Sequence, residues 1–203
     1  MYKALRVLAV MLVRICFRFS VSGRENIPAS GAVLVSNHAS MFDPVVLGVA
    51  VPRPIHFMGK AELFRNRISN WFFRKLHAFP VRRGEFDRGA IRSALEILDR
   101  GQLLGIFPEG TRNRGEDLMP LHSGAALLAS RAQVPIIPIV IVGNNKYRIF
   151  HRVDVRIGTP IMPEQGKKAT KEDLARINDQ ILAQFTVLNR QEFSIGARIE
   201  TRK

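Results

Sequence analysis

Apolar residues along the chain occur in short runs separated by stretches of helical periodicity. The runs are typical of buried strands, and we predict six of them, at 32–36, 55–58, 79–81, 103–107, 136–141 and 153–157. The intervening segments predict helices at 44–50, 61–77, 87–100 and 124–132, and a last helix from 170 to about 189. This alternation favours an α/β fold with a largely parallel central sheet flanked by helices.

Capping residues support the helix boundaries. Gly101 follows the helix at 87–100, where glycine commonly terminates a helix, and Ser123 precedes the next helix as an N-cap. Thr170 with Asp173 three residues later predicts a capping box. Pro44 suits the first turn of a helix, which makes Asp43 the predicted N-cap there.

Residues 1–19 predict an amphipathic helix. Lys3, Arg6, Arg14 and Arg18 interrupt the apolar residues, so the longest uncharged run is too short to cross a bilayer. On a helical wheel these cations lie within about 120°. The opposite face carries apolar residues, which are Leu5, Leu8, Leu12, Ile15 and Phe19. Such a helix either lies in a membrane interface or covers the core, and the charge at Arg14 argues against a signal peptide.

Composition narrows the classes of partner. A chain of 203 residues fits one domain, and a single cysteine, Cys16, excludes an internal disulfide and favours a reducing, cytoplasmic-side location. The formal net charge of +14 points to an anionic partner: an anionic lipid surface, a phosphorylated substrate or nucleic acid. We expect no nucleic-acid partner, because the chain has one Trp, two Tyr and no recognisable nucleic-acid-binding motif.

Candidate chemistry lies in the loop between the first predicted strand and helix. His38 and Asp43 are five positions apart, so their side chains meet only if the loop turns back. Asp43 would then accept from one ring nitrogen of His38 and leave the other as a general base. The structural alternative is that Asp43 only caps a helix and His38 only satisfies a loop carbonyl. Because no Gly-x-Ser-x-Gly motif occurs, the hydroxyl to be deprotonated would belong to the substrate.

A second cluster follows the strand at 103–107. Gly110 permits close approach of the backbone, Thr111 offers a hydroxyl, Arg112 can bind a phosphate through two nitrogens, and Glu109 can orient a partner. Ligands of open α/β sheets bind at the carboxyl ends of the strands. We therefore expect this cluster to lie near His38, although on its own it could be a loop with a surface ion pair.

Further cations follow two other strands. Arg82 and Arg83 come after the strand at 79–81, and Lys60 comes after the strand at 55–58. Each one alone is typical of a solvated surface charge. Together at one sheet edge they would hold a phosphate at a fixed distance from a reacting hydroxyl.

Four blocks in this order resemble the motifs of the lysophosphatidate acyltransferase family. They are Asn37-His38 with Asp43, Phe79-Pro80-Val81-Arg82-Arg83, Phe107-Pro108-Glu109-Gly110-Thr111-Arg112 and Val134-Pro135-Ile136-Ile137-Pro138. The resemblance spans roughly residues 23–158 and implies a glycerol-3-phosphate acyltransferase-like fold. Arg82 stands where family members often carry an acid, which puts the local ion pairing in question. The last block is expected to be structural.

The resemblance implies the roles of the candidate residues. His38 is the base and Asp43 its orienting partner. The substrate-binding residues implied are Lys60, Arg83, Glu109, Gly110, Thr111 and Arg112. The implied reaction moves a fatty acyl group from acyl-ACP or acyl-CoA to the sn-2 hydroxyl of 1-acylglycerol-3-phosphate, giving phosphatidate. Neither a cofactor nor a metal is implied, and the five histidines show no ligand spacing.

The resemblance also favours the membrane interpretation of the N-terminal helix. The chain then divides into a membrane-association helix at 1–22, an acyltransferase domain at 23–190 and a basic tail at 191–203. We expect a peripheral or monotopic protein on the cytoplasmic face of the cell membrane. Two alternatives remain open. One is an acyltransferase of the same fold acting on a lyso-ornithine lipid, another lysophospholipid or glycerol-3-phosphate, and the other is a non-catalytic basic membrane-binding protein.

Overall fold

The computed structural model describes residues 2–82, 87–113, 120–144, 147–166 and 168–190. Within these residues the helices are α1 (Tyr2–Cys16), α2 (Asp43–Ala50), α3 (Arg67–Lys75), α4 (Arg88–Asp99), α5 (Gly124–Ala132) and α6 (Lys171–Arg190). The strands are β1 (Arg18–Ser22), β2 (Ala32–Ser36), β3 (Ile55–Lys60), β4 (Ala78–Val81), β5 (Leu103–Ile106), β6 (Ile136–Val142) and β7 (Arg152–Ile157). The predicted basic tail lies outside the described residues.

The described strands form one sheet in the order β1-β7-β6-β2-β5-β3-β4. Neighbouring strands run parallel except β6 and β7, which are antiparallel. The predicted fold class, a largely parallel sheet flanked by helices, is therefore confirmed. Because β4, β3, β5, β2 and β6 all run the same way, the loops that follow them emerge at one edge of the sheet.

Strand β2 lies at the centre of the sheet and is buried along its whole length. Its side chains alternate between two cores: Val33 and Val35 pack with α4, α5 and α6, whereas Ala32 and Leu34 pack with α2 on the other face. A strand buried on both faces has a continuous apolar sequence rather than an alternating one, which is why its bounds match the prediction.

The predicted caps are confirmed at two helices. Gly101 follows α4 with a φ of 70°, the left-handed conformation expected of a terminating glycine. At the start of α6, Thr170 Oγ1 accepts from Asp173 N at 3.2 Å and Asp173 Oδ2 accepts from Thr170 N at 2.9 Å, which is a capping box. Ser123 occupies the N-cap position of α5, but its hydroxyl accepts from Asn178 instead of capping the helix.

The predicted helix at 61–77 is wrong in extent. A 3-10 turn occupies Ala61–Phe64, and α3 begins only at Arg67. The break has a local cause: Asn66 is extended, and its side-chain oxygen accepts from Ile68 N at 2.8 Å. A short amide side chain that bonds its own backbone favours a helix start over a helix interior.

The predicted N-terminal helix is too long at its carboxyl end. It stops at Cys16, because Arg18–Ser22 pairs with β7 as the edge strand β1. Phe19, predicted for the apolar face of the helix, belongs to that strand. The described part of the chain contains no helix with both the length and the apolar character needed to cross a membrane.

Helix α1 packs the side that carries Arg6 and Val13 against the domain, whereas Arg14 is exposed. Arg6 donates from Nε to Gly48 O at 3.1 Å and from Nη2 to Val51 O at 3.0 Å, at the carboxyl end of α2, where a cation is stabilised. Val13 is only 1% exposed. The outer face carries large apolar side chains that are 50–67% exposed: Val7, Leu8, Met11, Leu12 and Ile15.

Two histidines lie beneath the start of α1. The ring of His77 is 4.8 Å from that of His56 and 4.6 Å from that of Tyr2. Burial lowers the pKa of both imidazoles, and the neighbouring His77 lowers the pKa of His56 further. Both rings are therefore held neutral more readily in the folded chain than in the unfolded chain.

These two histidines should make the free energy of unfolding decrease as the pH is lowered. Below about pH 6.5 the unfolded chain binds protons at these histidines that the folded chain binds less well, so acid favours unfolding. Asn tolerates the left-handed backbone of residue 77, whose φ is 60°, so His77→Asn removes one ionisable group without new strain. We expect its Tm to fall less than that of the wild type between about pH 7.5 and 5.5. His151 is exposed, so the Tm of His151→Asn should fall over this pH range as much as that of the wild type. Equal falls in all three would refute this account.

Candidate active site

The loop between β2 and α2 turns back and joins His38 to Asp43. His38 Nδ1 lies 2.8 Å from Asp43 Oδ2, so the predicted contact is present. The Asp43 side chain is fully buried, whereas that of His38 is 13% exposed. The loop therefore presents one edge of an imidazole to solvent above a buried carboxylate.

Asp43 is not the N-cap of α2, contrary to the prediction. It is the first helical residue, and Phe42 occupies the N-cap position without a side-chain cap. The reason is that the carboxylate turns back toward the loop, where Oδ2 accepts from Ala39 N and Ser40 N at 2.8 Å each. These bonds close the turn that brings His38 to Asp43.

The other carboxylate oxygen of Asp43 is bound by residues that follow the neighbouring strand β6. Asp43 Oδ1 accepts from the Tyr147 hydroxyl at 2.8 Å and lies 3.4 Å from Asn144 Nδ2. Burial of a charge requires such donors, because an ionised group without partners is strongly destabilised in the interior. Tyr147 and Asn144 follow β6, which is parallel to β2, so its carboxyl end is at the same edge.

The hydrogen bond to Asp43 sets the tautomer of His38. A carboxylate only accepts, so Nδ1 carries the proton and Nε2 keeps its lone pair. The imidazole also stacks on Phe107, with ring centres 4.1 Å apart and planes 21° apart. The ring is thus held in one orientation with a basic nitrogen available, which is the arrangement required of a general base.

The loop after β5 encloses the main chain of His38. Glu109 Oε1 accepts from His38 N at 3.0 Å, and Asn113 N donates to His38 O at 2.6 Å. Preceding His38, the Asn37 side chain bonds both the N–H and the C=O of Ile141 in β6, at 2.8 Å and 3.0 Å. His38 is therefore held by two neighbouring strands as well as by Asp43.

Glu109 is itself almost completely buried, at 3% exposure. Burial raises the pKa of its carboxyl group, and the hydrogen bond from His38 N opposes that rise. The contact that the structure shows is with the main chain of His38. Substrate binding by Glu109, which the resemblance implies, stays a prediction.

The remaining predicted residues of this loop lie between Glu109 and Asn113, which both bond the main chain of His38. Gly110 has a φ of 69°, and a Cβ atom there would approach the His122 ring to 3.0 Å, so a glycine suits the position. Thr111 and Arg112 are exposed, and they precede Asn113, which bonds His38 O. Their side chains are accessible to a ligand at the predicted edge, and their role there stays a prediction.

The other predicted cations are less closely tied to His38. Lys60 Nζ lies 3.2 Å from Glu62 Oε1 in an ion pair whose side chains are both 54% exposed. Arg83 lies outside the described residues. Arg82 is exposed and donates its main-chain N–H to Asp87 Oδ2 at 3.0 Å. Phosphate binding by Lys60 and Arg83 stays a prediction.

Sequence reasoning missed Tyr147 and Asn144. A usable signal existed: both follow the strand predicted at 136–141, at the sheet edge where ligands were expected. Among the residues that the structure describes, no three His, Cys, Asp or Glu side chains are grouped to hold a metal ion. Metal-free chemistry remains an expectation from the resemblance.

Comparison with known proteins decides the family. Residues 18–142 match the model of the Acyltransferase family. This chain belongs to the acyltransferase family. Among its relatives, the Bacillus subtilis 1-acyl-sn-glycerol-3-phosphate acyltransferase is 35% identical over 167 residues, covering 79% of this chain and 83% of that protein. The Streptococcus pneumoniae protein of the same name is 31% identical over 203 residues, covering 94% and 74%. The resemblance to the lysophosphatidate acyltransferases is thereby confirmed.

Two further relatives are informative. A Pseudomonas aeruginosa lyso-ornithine lipid O-acyltransferase is 36% identical over 135 residues, covering 64% of this acyltransferase and 51% of that protein. The crystal structure of the 1-acyl-sn-glycerophosphate acyltransferase from Thermotoga maritima aligns with a TM-score of 0.72 and 24% identity, covering 92% of this chain and 79% of that one. This likeness shows that the two proteins share a fold.

The contact between Glu109 and His38 predicts different effects for two substitutions. Glu109→Gln keeps a carbonyl oxygen that can accept from His38 N, so kcat should stay within a few-fold of wild type. Glu109→Ala leaves a buried N–H unsatisfied, which costs about 1–3 kcal/mol, so stability in urea unfolding and kcat should both fall. If holding the main chain of His38 is the whole role of Glu109, KM for the acceptor should not change in either variant. A raised acceptor KM with an unchanged kcat would instead show that Glu109 binds substrate.

Proposed function

We propose that this acyltransferase moves a fatty acyl group from acyl-ACP or acyl-CoA to the sn-2 hydroxyl of 1-acylglycerol-3-phosphate, giving phosphatidate. The observation that carries the proposal is the 2.8 Å contact between His38 Nδ1 and Asp43 Oδ2 in a chain of this family. The names of the Bacillus and Streptococcus relatives support the acceptor. Neither a cofactor nor a metal takes part in the proposed reaction.

His38 is the general base in this mechanism. Its Nε2 takes the proton of the acceptor hydroxyl while that oxygen attacks the thioester carbonyl. The new C–O bond forms, the C–S bond breaks, and the imidazolium returns its proton to the departing sulfur, so donor thiol and ester product balance. Asp43 keeps the imidazole aligned and stabilises its positive charge during transfer, as the carboxylate of a serine-protease triad does.

The acceptor phosphate would lie among the cations of the sheet edge. Arg112 lies in the loop that encloses His38, and its planar guanidinium suits a phosphate in two-point contact. We assign Gly110, Thr111, Lys60 and Arg83 to the same phosphate. Holding the phosphate there fixes the distance from it to the hydroxyl that faces His38.

A second acceptor has support from one relative. The lyso-ornithine lipid O-acyltransferase aligns with 64% of this chain. A lyso-ornithine lipid also offers a hydroxyl next to an acyl chain. It lacks a phosphate, however, so it would leave Arg112 without its proposed ligand. We therefore place lysophosphatidate first.

Purified protein should make phosphatidate from lysophosphatidate with an acyl-CoA or acyl-ACP donor. His38→Ala should lower kcat by about 100- to 10,000-fold, the usual contribution of a general base. It should lower Tm only modestly, because Asp43 keeps its donors Ala39 N, Ser40 N and Tyr147. His151→Ala, at an exposed histidine, is the matched control and should keep full activity. Product from a lyso-ornithine lipid but none from lysophosphatidate would overturn the acceptor assignment. Activity that survives His38→Ala would overturn the mechanism.

We also propose that α1 rests on the anionic cytoplasmic face of the cell membrane as a peripheral or monotopic element. Its outward face is a row of apolar side chains, and its inward cation Arg6 is already bound to α2. An exposed apolar face on a short helix suits insertion at the level of the lipid headgroups. The net charge of +14 adds attraction to anionic lipid.

Substitution tests this placement better than deletion does. Removing residues 1–19 would also remove the buried Val13 and the first two residues of β1, so the domain itself would be destabilised. The double variant Leu8→Glu/Leu12→Glu changes only the outer face. It should weaken co-sedimentation with vesicles containing phosphatidylglycerol by roughly tenfold or more, with Tm unchanged.

Val187→Glu is the matched control for this experiment. Val187 is 55% exposed on α6, which covers the opposite face of the sheet. Its vesicle binding should equal that of the wild type. Undiminished binding of the double variant would contradict the proposed orientation of α1.

A further inference from the structure

We propose that Tyr147 is a positioning residue for acyl transfer, acting on His38 through Asp43. This inference rests on the proposed role of His38 as the base. The observation behind it is that the Tyr147 hydroxyl donates to Asp43 Oδ1 at 2.8 Å, on the carboxylate oxygen that does not face the imidazole. One carboxylate is thus held by His38 on one side and by Tyr147 on the other.

The donors are unevenly divided between the two oxygens of Asp43. Oδ2 accepts from His38 Nδ1 and from two main-chain N–H groups, all at 2.8 Å. Oδ1 accepts from Tyr147 at 2.8 Å and has Asn144 at 3.4 Å, which is at the long limit of a hydrogen bond. Tyr147 therefore decides how the plane of the carboxylate is oriented, and that plane in turn sets the imidazole.

The tyrosine ring is itself fixed by aromatic contacts. Phe42, which directly precedes Asp43, meets it edge-on with ring centres 5.3 Å apart, and Phe17 meets it at 5.6 Å. Edge-to-face pairs of this kind hold rings at defined angles. The hydroxyl is consequently held in place toward Oδ1.

The environment keeps this hydroxyl protonated. Burial raises the pKa of Tyr147 well above its usual range, and the negative charge and hydrogen bond of Asp43 raise it further. Tyr147 is then a neutral donor throughout the working pH range and takes no proton in the reaction. Its contribution is to fix the carboxylate and to draw charge away from it.

Tyr147→Phe tests the proposal, because it removes the hydroxyl and keeps the ring. We expect kcat to fall by about ten- to a hundredfold, the usual worth of one hydrogen bond to a charged group, while KM for both substrates stays within about twofold. The acid limb of the pH profile of kcat/KM should move to higher pH. The reason is that a carboxylate with one donor fewer holds the imidazolium more strongly.

Tyr2→Phe is the matched control, since Tyr2 is the other tyrosine of the chain and its ring packs on His77. It should match the wild type in kcat and in pH profile. A Tyr147→Phe variant with wild-type kcat would overturn the proposal. So would a fall in kcat without movement of the acid limb, because that is the result of a purely structural role.

A second measurement does not depend on activity. The proton between His38 Nδ1 and Asp43 should give a downfield NMR signal in the wild type that is absent in His38→Ala. In Tyr147→Phe that signal should shift further downfield, because the carboxylate accepts more strongly, and should exchange faster with solvent, because the carboxylate is less firmly held. An unchanged signal would overturn the role of Tyr147 even if the enzyme acted on another acceptor. Absence of acyl transfer by the wild type would instead count against the proposed function.

Discussion

The buried carboxylate of Asp43 is the interaction on which the site depends. Removing such a charge from water costs several kcal/mol unless its oxygens are well hydrogen-bonded. Here the donors come from His38 and the main chain of its own loop and, across the sheet edge, from Tyr147 and Asn144. They meet only because β2 and β6 are parallel neighbours whose carboxyl ends coincide. The geometry of the candidate base therefore depends on this strand order in the sheet.

The orientation of helix α1 is set by an arginine that points inward. The sequence pattern predicts an amphipathic helix but does not say which face points to the domain, because the hydrophobic face could contact either the core or lipid. The contacts of Arg6 with two carbonyl oxygens of α2 decide the direction. Once that guanidinium is bound inward, Val7, Leu8 and Met11 are left outside. An unusual surface thus follows from an ordinary helix-terminus contact.

Much of the fold could be predicted because most of its strands are buried on both faces. Residues 32–36 and 136–141 are continuous apolar runs for that reason. Strand β1 was missed because its residues alternate between exposed and half-buried and form an edge, so they carry no such run. The split of the helix at 61–77 also escaped prediction, since one side-chain hydrogen bond from Asn66 ends it.

The candidate site was partly predictable for a related reason. His38 and Asp43 are close in sequence, and Glu109 follows a strand that had been predicted. Tyr147 is 104 residues from Asp43, and only the pairing of β2 with β6 brings them together. The error over the N-cap has a local origin instead. An aspartate beside a helix start can turn either way, and the amides of Ala39 and Ser40 determine which.

The donors around Asp43 all belong to the chain itself, which has a consequence for how this enzyme can change. A site whose dipoles are already oriented needs little reorganisation when a substrate arrives. The free-energy cost of ordering that site is met once, when the chain folds, and not again in each catalytic cycle. Thermal stability and the chemical step are then governed by the same few hydrogen bonds, so evolution cannot adjust one of them here without affecting the other.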